Sequence, residues 1–283
     1  MYKLIADSGA TKTDWASTAN GKVKFFSSAG LNPHLLSDEE IVAILKEEVF
    51  PQLETGEMAE VLFYGSGCAD PSMKNRIMQC FMNAMPTASI QVSTDLEAAG
   101  IALFGDDEGL ACILGTGSNA GIYSGGLLIK QMKAEVFPEG DKGGGAAIIL
   151  AIIKDVADMA APEEVRNAVE ILLEGSPEEY LYKLENDKVS RTDVASLYKK
   201  MAPLYDNEYF RAKVKAQVSE FIEEVSRQFK DVASDLSWGF IGSIALLNEQ
   251  IIREIANEKG IEIRKITGRP IEELHNYLSE KYD

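Results

Sequence analysis

The sequence predicts an α/β protein of two domains that repeat one order of elements, the second enlarged by a helical insertion. Three observations lead there. The chain has 283 residues with 46% hydrophobic content, longer than a usual single domain and apolar enough for two compact cores. A block of three β-patterned runs followed by alternating helix and strand occurs twice. Each block also opens on two strands joined by a turn rich in Gly, Thr and Ser, Asp7-Ser8-Gly9-Ala10-Thr11-Lys12-Thr13-Asp14 in the first and Leu114-Gly115-Thr116-Gly117-Ser118-Asn119 in the second.

In the first block, Tyr2 to Ala6, Asp14 to Thr18 and Lys22 to Ser28 form a meander, with Asn20-Gly21 as its second turn. Ser37 and Glu40 form a capping box for a helix whose face carries Ile41, Ile44, Leu45 and Val49. Val61 to Tyr64 is a buried strand. Asp70-Pro71 starts a helix through Ile77 and Phe81, Ser89 to Ser93 is the next strand, and a helix follows from about Asp95 to Leu103.

The second block runs through strands Leu110 to Leu114, Ala120 to Tyr123 and Leu127 to Lys133, then a helix from about Gly144 to Met159. Residues 161–234 read as almost wholly helical, with Val214, Val218, Phe221, Ile222, Val225 and Phe229 as a core stripe. Trp238 to Ile241 is a buried strand, Gly242-Ser243 opens a helix Ile244 to Glu258, Ile261 to Arg264 is an edge strand, and Pro270 starts a terminal helix. The repeat is one of topology rather than of letters. It places the first domain at 1–105 and the second at 106–268, with helix 269–283 packing back on the first, and a cleft is expected between them.

A formal charge of −17, from 28 Lys and Arg against 45 Asp and Glu, opposes a nucleic-acid or anionic-membrane partner. A charge at Lys3 comes too early for a secretory leader, and the longest apolar run, Ala146 to Ile153, is too short to span a bilayer. Cys68, Cys80 and Cys112 are odd in number and lack Cys-x-x-Cys spacing, so they read as core residues of a soluble protein in a reducing compartment, the cytoplasm.

The two Gly/Thr turns suit an anion. Gly9 tolerates positive φ, so backbone N–H groups can share one concavity to which Thr11 and Thr13 add hydroxyls; Lys12 can offset charge on a terminal phosphate, and Asp7 can hold a hydrated Mg2+. The other reading is an ordinary surface hairpin. Gly115-Thr116-Gly117-Ser118-Asn119-Ala120 fits a dinucleotide fingerprint formally, but β pattern rather than a helix follows it, so a terminal phosphate suits it better. Asp95, at a strand-to-helix turn, is a candidate acceptor for a hydroxyl proton or else a helix N-cap. Asn32, Asn119 and Asp141 are polar loop residues or turn formers, and Gly242-Ser243 either admits a purine or ribose or packs a helix tightly on its strand. With two His in the chain, His-centred catalysis is not expected.

Taken together, these residues resemble the N-acetylglucosamine kinase and dehydratase-activator (BadF-type) ATPase family, in the superfamily of actin, hexokinase and the seventy-kilodalton chaperones. The resemblance covers nearly the whole chain. It rests on residues 7–15, Ala29-Gly30-Leu31-Asn32-Pro33, Tyr64-Gly65-Ser66-Gly67-Cys68, Ser93-Thr94-Asp95, residues 112–119 and Phe240-Ile241-Gly242-Ser243-Ile244-Ala245, in that order. It implies two ribonuclease-H-like domains closing over ATP, Mg2+ and an amino sugar, and it admits a homodimer. By motif position Asp95 would be the base for the sugar 6-hydroxyl. Asn32, Asn119 and Asp141 would bind the sugar, Gly9, Thr11, Lys12, Thr13, Gly115, Thr116, Gly117 and Ser118 the phosphates, and Gly242 with Ser243 the adenosine side.

The chain departs from the family where members read Gly-Asp-Glu-Gly-Ser-Gly-Ala. Here stands Gly140-Asp141-Lys142-Gly143-Gly144-Gly145-Ala146 after a shortened Phe137-Pro138-Glu139. Lys142 is expected to pair with Asp141 or to repel Mg2+. The first functional reading is therefore an ATP-dependent kinase for N-acetylglucosamine or a close amino sugar. A non-catalytic nucleotide or sugar sensor, in which Lys142→Glu restores activity, and an iron–sulfur ATPase activating a dehydratase are the alternatives.

Overall fold

The computed structural model describes residues 3–54, 60–86, 88–133, 135 and 137–282. They divide into two compact units, 1–108 with 123–129 and 269–283, and 109–122 with 130–268. Residues 106–108 and 123–129, assigned from sequence to the second domain, thus cluster with the first.

In the first unit, β1 (Lys3–Ser8), β2 (Lys12–Ala19) and β3 (Lys22–Ala29) are an antiparallel meander. The expected start of β1 at Tyr2 lies outside the described residues. β2 begins two residues earlier than the pattern suggested, so the turn is shorter. Helix α1 (Asp38–Ile44) starts in the Ser37/Glu40 capping box and runs on through a wider turn at Leu45–Val49. Then come β4 (Glu60–Gly65), α2 (Pro71–Ala84) on its Asp70 cap, β5 (Ser89–Thr94) and α3 (Asp95–Phe104). The sheet order is β3-β2-β1-β4-β5, with β1, β4 and β5 parallel.

The second unit repeats that order. β6 (Gly109–Leu114), β7 (Ser118–Ser124) and β8 (Leu127–Gln131) precede α4 (Gly145–Ala157), and the insertion follows as α5 (Glu163–Leu173), α6 (Pro177–Glu185), α7 (Arg191–Lys200) and α8 (Glu208–Gln228). β9 (Trp238–Ile241), α9 (Ser243–Leu247), α10 (Glu249–Lys259) and β10 (Ile263–Thr267) complete it, in sheet order β10-β9-β6-β7-β8. Third, second, first, fourth and fifth strand lie side by side in both sheets. This is the two-domain ribonuclease-H-like, actin-like architecture.

Each sheet has its own core. In the first unit Trp15 is fully buried, stacks on Phe26 and meets Phe81 edge-on. In the second, α4 and the stripe of α8 (Val214, Val218, Phe221, Ile222, Val225) bury against Trp238, Phe240 and Cys112. Each such side chain contributes about 1.5–3 kcal/mol through apolar area removed from water. Terminal helix α11 (Ile271–Tyr282) packs on α3, β1 and β2 within the first unit.

Two further elements differ from the sequence pattern. The helix expected from Ile244 to Glu258 breaks at Asn248, whose amide donates back to Ile244 O (2.8 Å) while its Oδ1 accepts the Tyr198 hydroxyl (2.9 Å). The side chain competes with the helical ladder there. The last strand lies at Ile263–Thr267 rather than Ile261 to Arg264, because Trp238 N–H takes the Glu262 carbonyl and sets the register. Among the described residues no helix is long and apolar enough to cross a membrane.

Candidate active site

In the first unit the site lies at the carboxyl ends of three parallel strands. Register places Asp7 beside Tyr64 and Tyr64 beside Ser93, then Ser8 beside Gly65 and Gly65 beside Thr94. Asp95 follows immediately. Such strand ends are where open α/β sheets bind ligands. The N-cap of α3 is Thr94: its hydroxyl accepts Glu97 N–H (3.2 Å) and Glu97 accepts Thr94 N–H (2.7 Å). Asp95 is therefore not the cap. Its Oδ1 accepts Leu96 N–H at 2.9 Å.

Asp7 and Asp95 share one electrostatic neighbourhood. Burial first, then the charges of Asp95 and Asp14, push the Asp7 carboxyl up to about 7, against the pull of Lys12. Among the described residues no cluster of three or more His, Cys, Asp or Glu is placed to hold a metal directly, so a Mg2+ beside a polyphosphate would be held at Asp7 through water.

The first turn is tight for a reason the sequence did not disclose. Gly9 N–H donates to Lys12 O (2.9 Å), but Gly9 does not adopt positive φ, contrary to expectation. The close approach is instead at Gly30, where a Cβ would stand 2.6 Å from the carbonyl oxygens of both Gly9 and Ala10. Leu31 N–H donates to Ser8 Oγ, fixing that loop beneath the turn. Thr13 also departs from expectation. It is fully buried, and its hydroxyl contacts Ser8 Oγ (2.8 Å) and donates to Ala29 O (3.1 Å), so it braces the strands rather than offering a donor at the turn. Thr11 is exposed. Lys12 pairs with Asp14 (2.9 Å), a carboxylate that Arg269 (3.0 Å) and Ser27 (2.8 Å) also hold.

Asn32 is buried and oriented. Its amide donates to Ser66 Oγ (3.1 Å), its Oδ1 accepts His34 N–H (2.9 Å), and Gly67, at φ +79°, leaves it room: a Cβ there would come within 2.7 Å of Oδ1.

In the second unit the turn 115–118 is held by backbone hydrogen bonds and two close approaches. Gly115 N–H donates to Gly117 O, and the carbonyls of Gly115 and Thr116 accept Gly145 N–H and Ala146 N–H from the start of α4. A Cβ on Gly144 would lie 2.7 Å from the Gly117 backbone, and one on Gly242, at φ +118°, 2.3 Å from Leu114 O. Gly242 therefore does pack α9 tightly on β6, and Ser243 is exposed at the first turn of α9. Asn119 accepts Ala120 N–H and a Gln131 amide.

Asp141 is buried at φ +60°, a conformation Asp tolerates. Its Oδ1 accepts Ser118 N–H (3.0 Å) and its Oδ2 binds Arg191 Nη1 (2.7 Å). Lys142 turns elsewhere, to Glu220 at 3.3 Å, so the expected pairing of Lys142 with Asp141 is not formed. Arg191 was not anticipated. Asp141, Ser118, Lys142, Glu220, Phe221 and Glu224 line a cavity of about 370 Å³ in this unit, large enough for a small polar ligand.

All three cysteines are free and buried; burial above all, then Asp95, pushes the Cys68 thiol up to about 12. That opposes a thiolate role in metal ligation.

The fold is that of the actin-like ATPases and sugar kinases, and comparison with solved structures agrees. The chain is similar to a proposed N-acetylglucosamine kinase from Porphyromonas gingivalis, with 27% identity over 99% of both chains and a TM-score of 0.89. It is similar in fold to a proposed N-acetylglucosamine kinase from Chromobacterium violaceum (16% identity, 98% of both chains, TM-score 0.70). It also shares its fold with a non-polymerising mutant of MamK bound to AMPPNP (13% identity, 98% of this chain and 97% of the other, TM-score 0.55). No family model and no curated protein sequence matches the chain.

Proposed function

We propose that the protein is an ATP-dependent sugar kinase and that its acceptor is an amino sugar, N-acetylglucosamine at the 6-hydroxyl. The observation that carries this reading is the pair Asp7 and Asp95 at the carboxyl ends of β1 and β5, with Asp95 relieved of capping by Thr94. The similarity to the Porphyromonas gingivalis protein supports the substrate class.

Phosphoryl transfer needs mostly positioning and charge neutralisation, with one carboxylate to orient the attacking alcohol. In this reading Asp95 accepts the hydroxyl proton. Asn32, pinned by Ser66, and Asn119 and Asp141 on the second unit hold sugar hydroxyls. Backbone N–H groups of the turns 9–12 and 115–118 take phosphate oxygens, and the exposed start of α9 at Gly242-Ser243 takes the adenosine side. Mg2+ held through water at Asp7 would add to the positive charge of Lys12 at the phosphate. The sensor reading rests on Lys142 and the shortened loop before Gly140; Lys142 engages Glu220 rather than Asp141, which favours the kinase reading.

A coupled ADP-release assay across hexoses and N-acetylhexosamines tests the proposal. We expect release stimulated most by N-acetylglucosamine, and release stimulated by none of the sugars ends it.

A further inference from the structure

We propose that Arg191, delivered by the helical insertion, is the cation of the second phosphate turn: its guanidinium contacts the terminal phosphoryl group of a nucleoside triphosphate held at 115–118, with Asp141 holding it in place. The inference deepens the kinase reading and rests on it.

Arg191 is the first residue of α7, and the Ser190/Asp193 capping box fixes where that helix begins. From there the side chain reaches Asp141, 50 residues earlier in the chain, at 2.7 Å. Its Nη1 would lie 3.0 Å from a Cβ on Gly117, and Asp141 Oδ1 only 2.3 Å from it. The ion pair therefore sits directly over the middle of the turn, and glycine at 117 is what makes room for it.

Three features make this an anion contact rather than a plain structural bridge. The N–H groups of Thr116 and Gly117 have no partner among the described residues, so the turn has donors to spare. Asp141 occupies Ser118 N–H and brings a negative charge against the same turn, so an anion bound there would be repelled unless a cation stood between them. Arg191 is that cation. One of its N–H groups goes to Asp141, and its side chain stays 38% exposed while that of Asp141 is 8% exposed. The guanidinium fork can bind a carboxylate with one edge and phosphoryl oxygens with another, a geometry lysine does not offer.

The test is calorimetric and needs no turnover. Wild type, Arg191→Gln, Arg191→Lys and Asp141→Asn are titrated with Mg-AMPPNP, with Mg-ADP and with N-acetylglucosamine, each variant first checked by thermal melting. If Arg191 touches the terminal phosphoryl group, Arg191→Gln weakens AMPPNP by about tenfold or more and changes ADP by no more than about twofold, and Arg191→Lys recovers part of the loss. Sugar affinity in Arg191→Gln falls by less than AMPPNP affinity does, the cost of leaving Asp141 without its partner. Equal weakening of AMPPNP and ADP, or no weakening of either, overturns the proposal. So does a loss confined to sugar binding that Asp141→Asn reproduces, since Arg191 would then act only by positioning Asp141. Should wild type bind ADP but not AMPPNP, or neither, the nucleotide reading itself falls and takes this inference with it.

Discussion

Thr94 caps α3 in place of Asp95: the hydroxyl accepts Glu97 N–H at 3.2 Å, and the next residue, Asp95, follows the end of β5 with its charge raising the Asp7 carboxyl. The two residues thus separate stability from chemistry. Thr94→Ala removes a cap and should cost about 1 kcal/mol of stability while leaving activity largely intact. Asp95→Asn should fold and melt nearly as wild type yet lose sugar-stimulated ADP release by about a hundredfold or more, the scale of a lost general base. Denaturation midpoints and turnover of the two variants check this. A fully active Asp95→Asn enzyme would remove Asp95 from the chemistry.

Asp7 gives a pH prediction with a definite sign. Its carboxyl sits at about 7 in the fold, against an ordinary value near 3.8, because burial and then the charges of Asp95 and Asp14 oppose ionisation. The native state therefore holds this proton more tightly than the unfolded chain. The stability it confers is full below about pH 4 and is lost as pH rises to about 7. Asp7→Asn should match wild type at pH 4 and exceed it at pH 8 by on the order of 2–4 kcal/mol, while nucleotide-dependent activity falls. Melting curves of both proteins across that range are the measurement, and parallel curves would contradict the assignment.

Gly30 should be more sensitive than Gly9. A Cβ at position 30 meets two carbonyl oxygens at 2.6 Å, whereas at position 9 it meets Lys12 O at 3.5 Å, an ordinary contact. Backbone cannot yield as a side-chain tip does. Gly30→Ala should cost about 1–3 kcal/mol and weaken Mg-ATP binding by displacing the turn, while Gly9→Ala should stay within about 1 kcal/mol of wild type. Chemical denaturation together with nucleotide titration distinguishes the two, and equal effects would show that the loop after β3 does not support the turn.

What the sequence made legible was local. The four-residue strand β9 was readable because Trp238 to Ile241 is a buried run bounded by polar and glycine residues, and the α1 and α2 starts because Ser37/Glu40 and Asp70-Pro71 signal within their own turns. The doubled strand order was readable because each meander carries its own turn residues. What escaped depends on partners distant in sequence. Arg191 meets Asp141 across 50 residues, Asn248 meets Tyr198 across 50, and Gly30 fits under a turn formed twenty residues earlier. Thr13 was misread for a related reason. β2 is buried on both faces from Thr13 to Ser17, so no alternation marks which side chains reach solvent.

Lys142 supplies the last prediction. Sequence placed it beside Asp141, where it would spoil a sugar contact, but its ammonium pairs with Glu220 at 3.3 Å with both side chains more than two-fifths exposed. Pairs this exposed contribute about 0–1 kcal/mol, so losing the pair should hardly alter stability. A glutamate at 142 would also face Glu220 and join Glu224 and Asp141 on the wall of the same cavity, where the acids already outnumber the cations Lys133 and Arg227. Lys142→Glu should therefore melt within about 1 kcal/mol of wild type and show no gain in kcat, with KM for the sugar unchanged or higher. Steady-state kinetics with N-acetylglucosamine as the varied substrate decide it. A rise in kcat of about tenfold would mean that Lys142 does act on Asp141 during turnover and would restore the reading of this chain as a weakened enzyme.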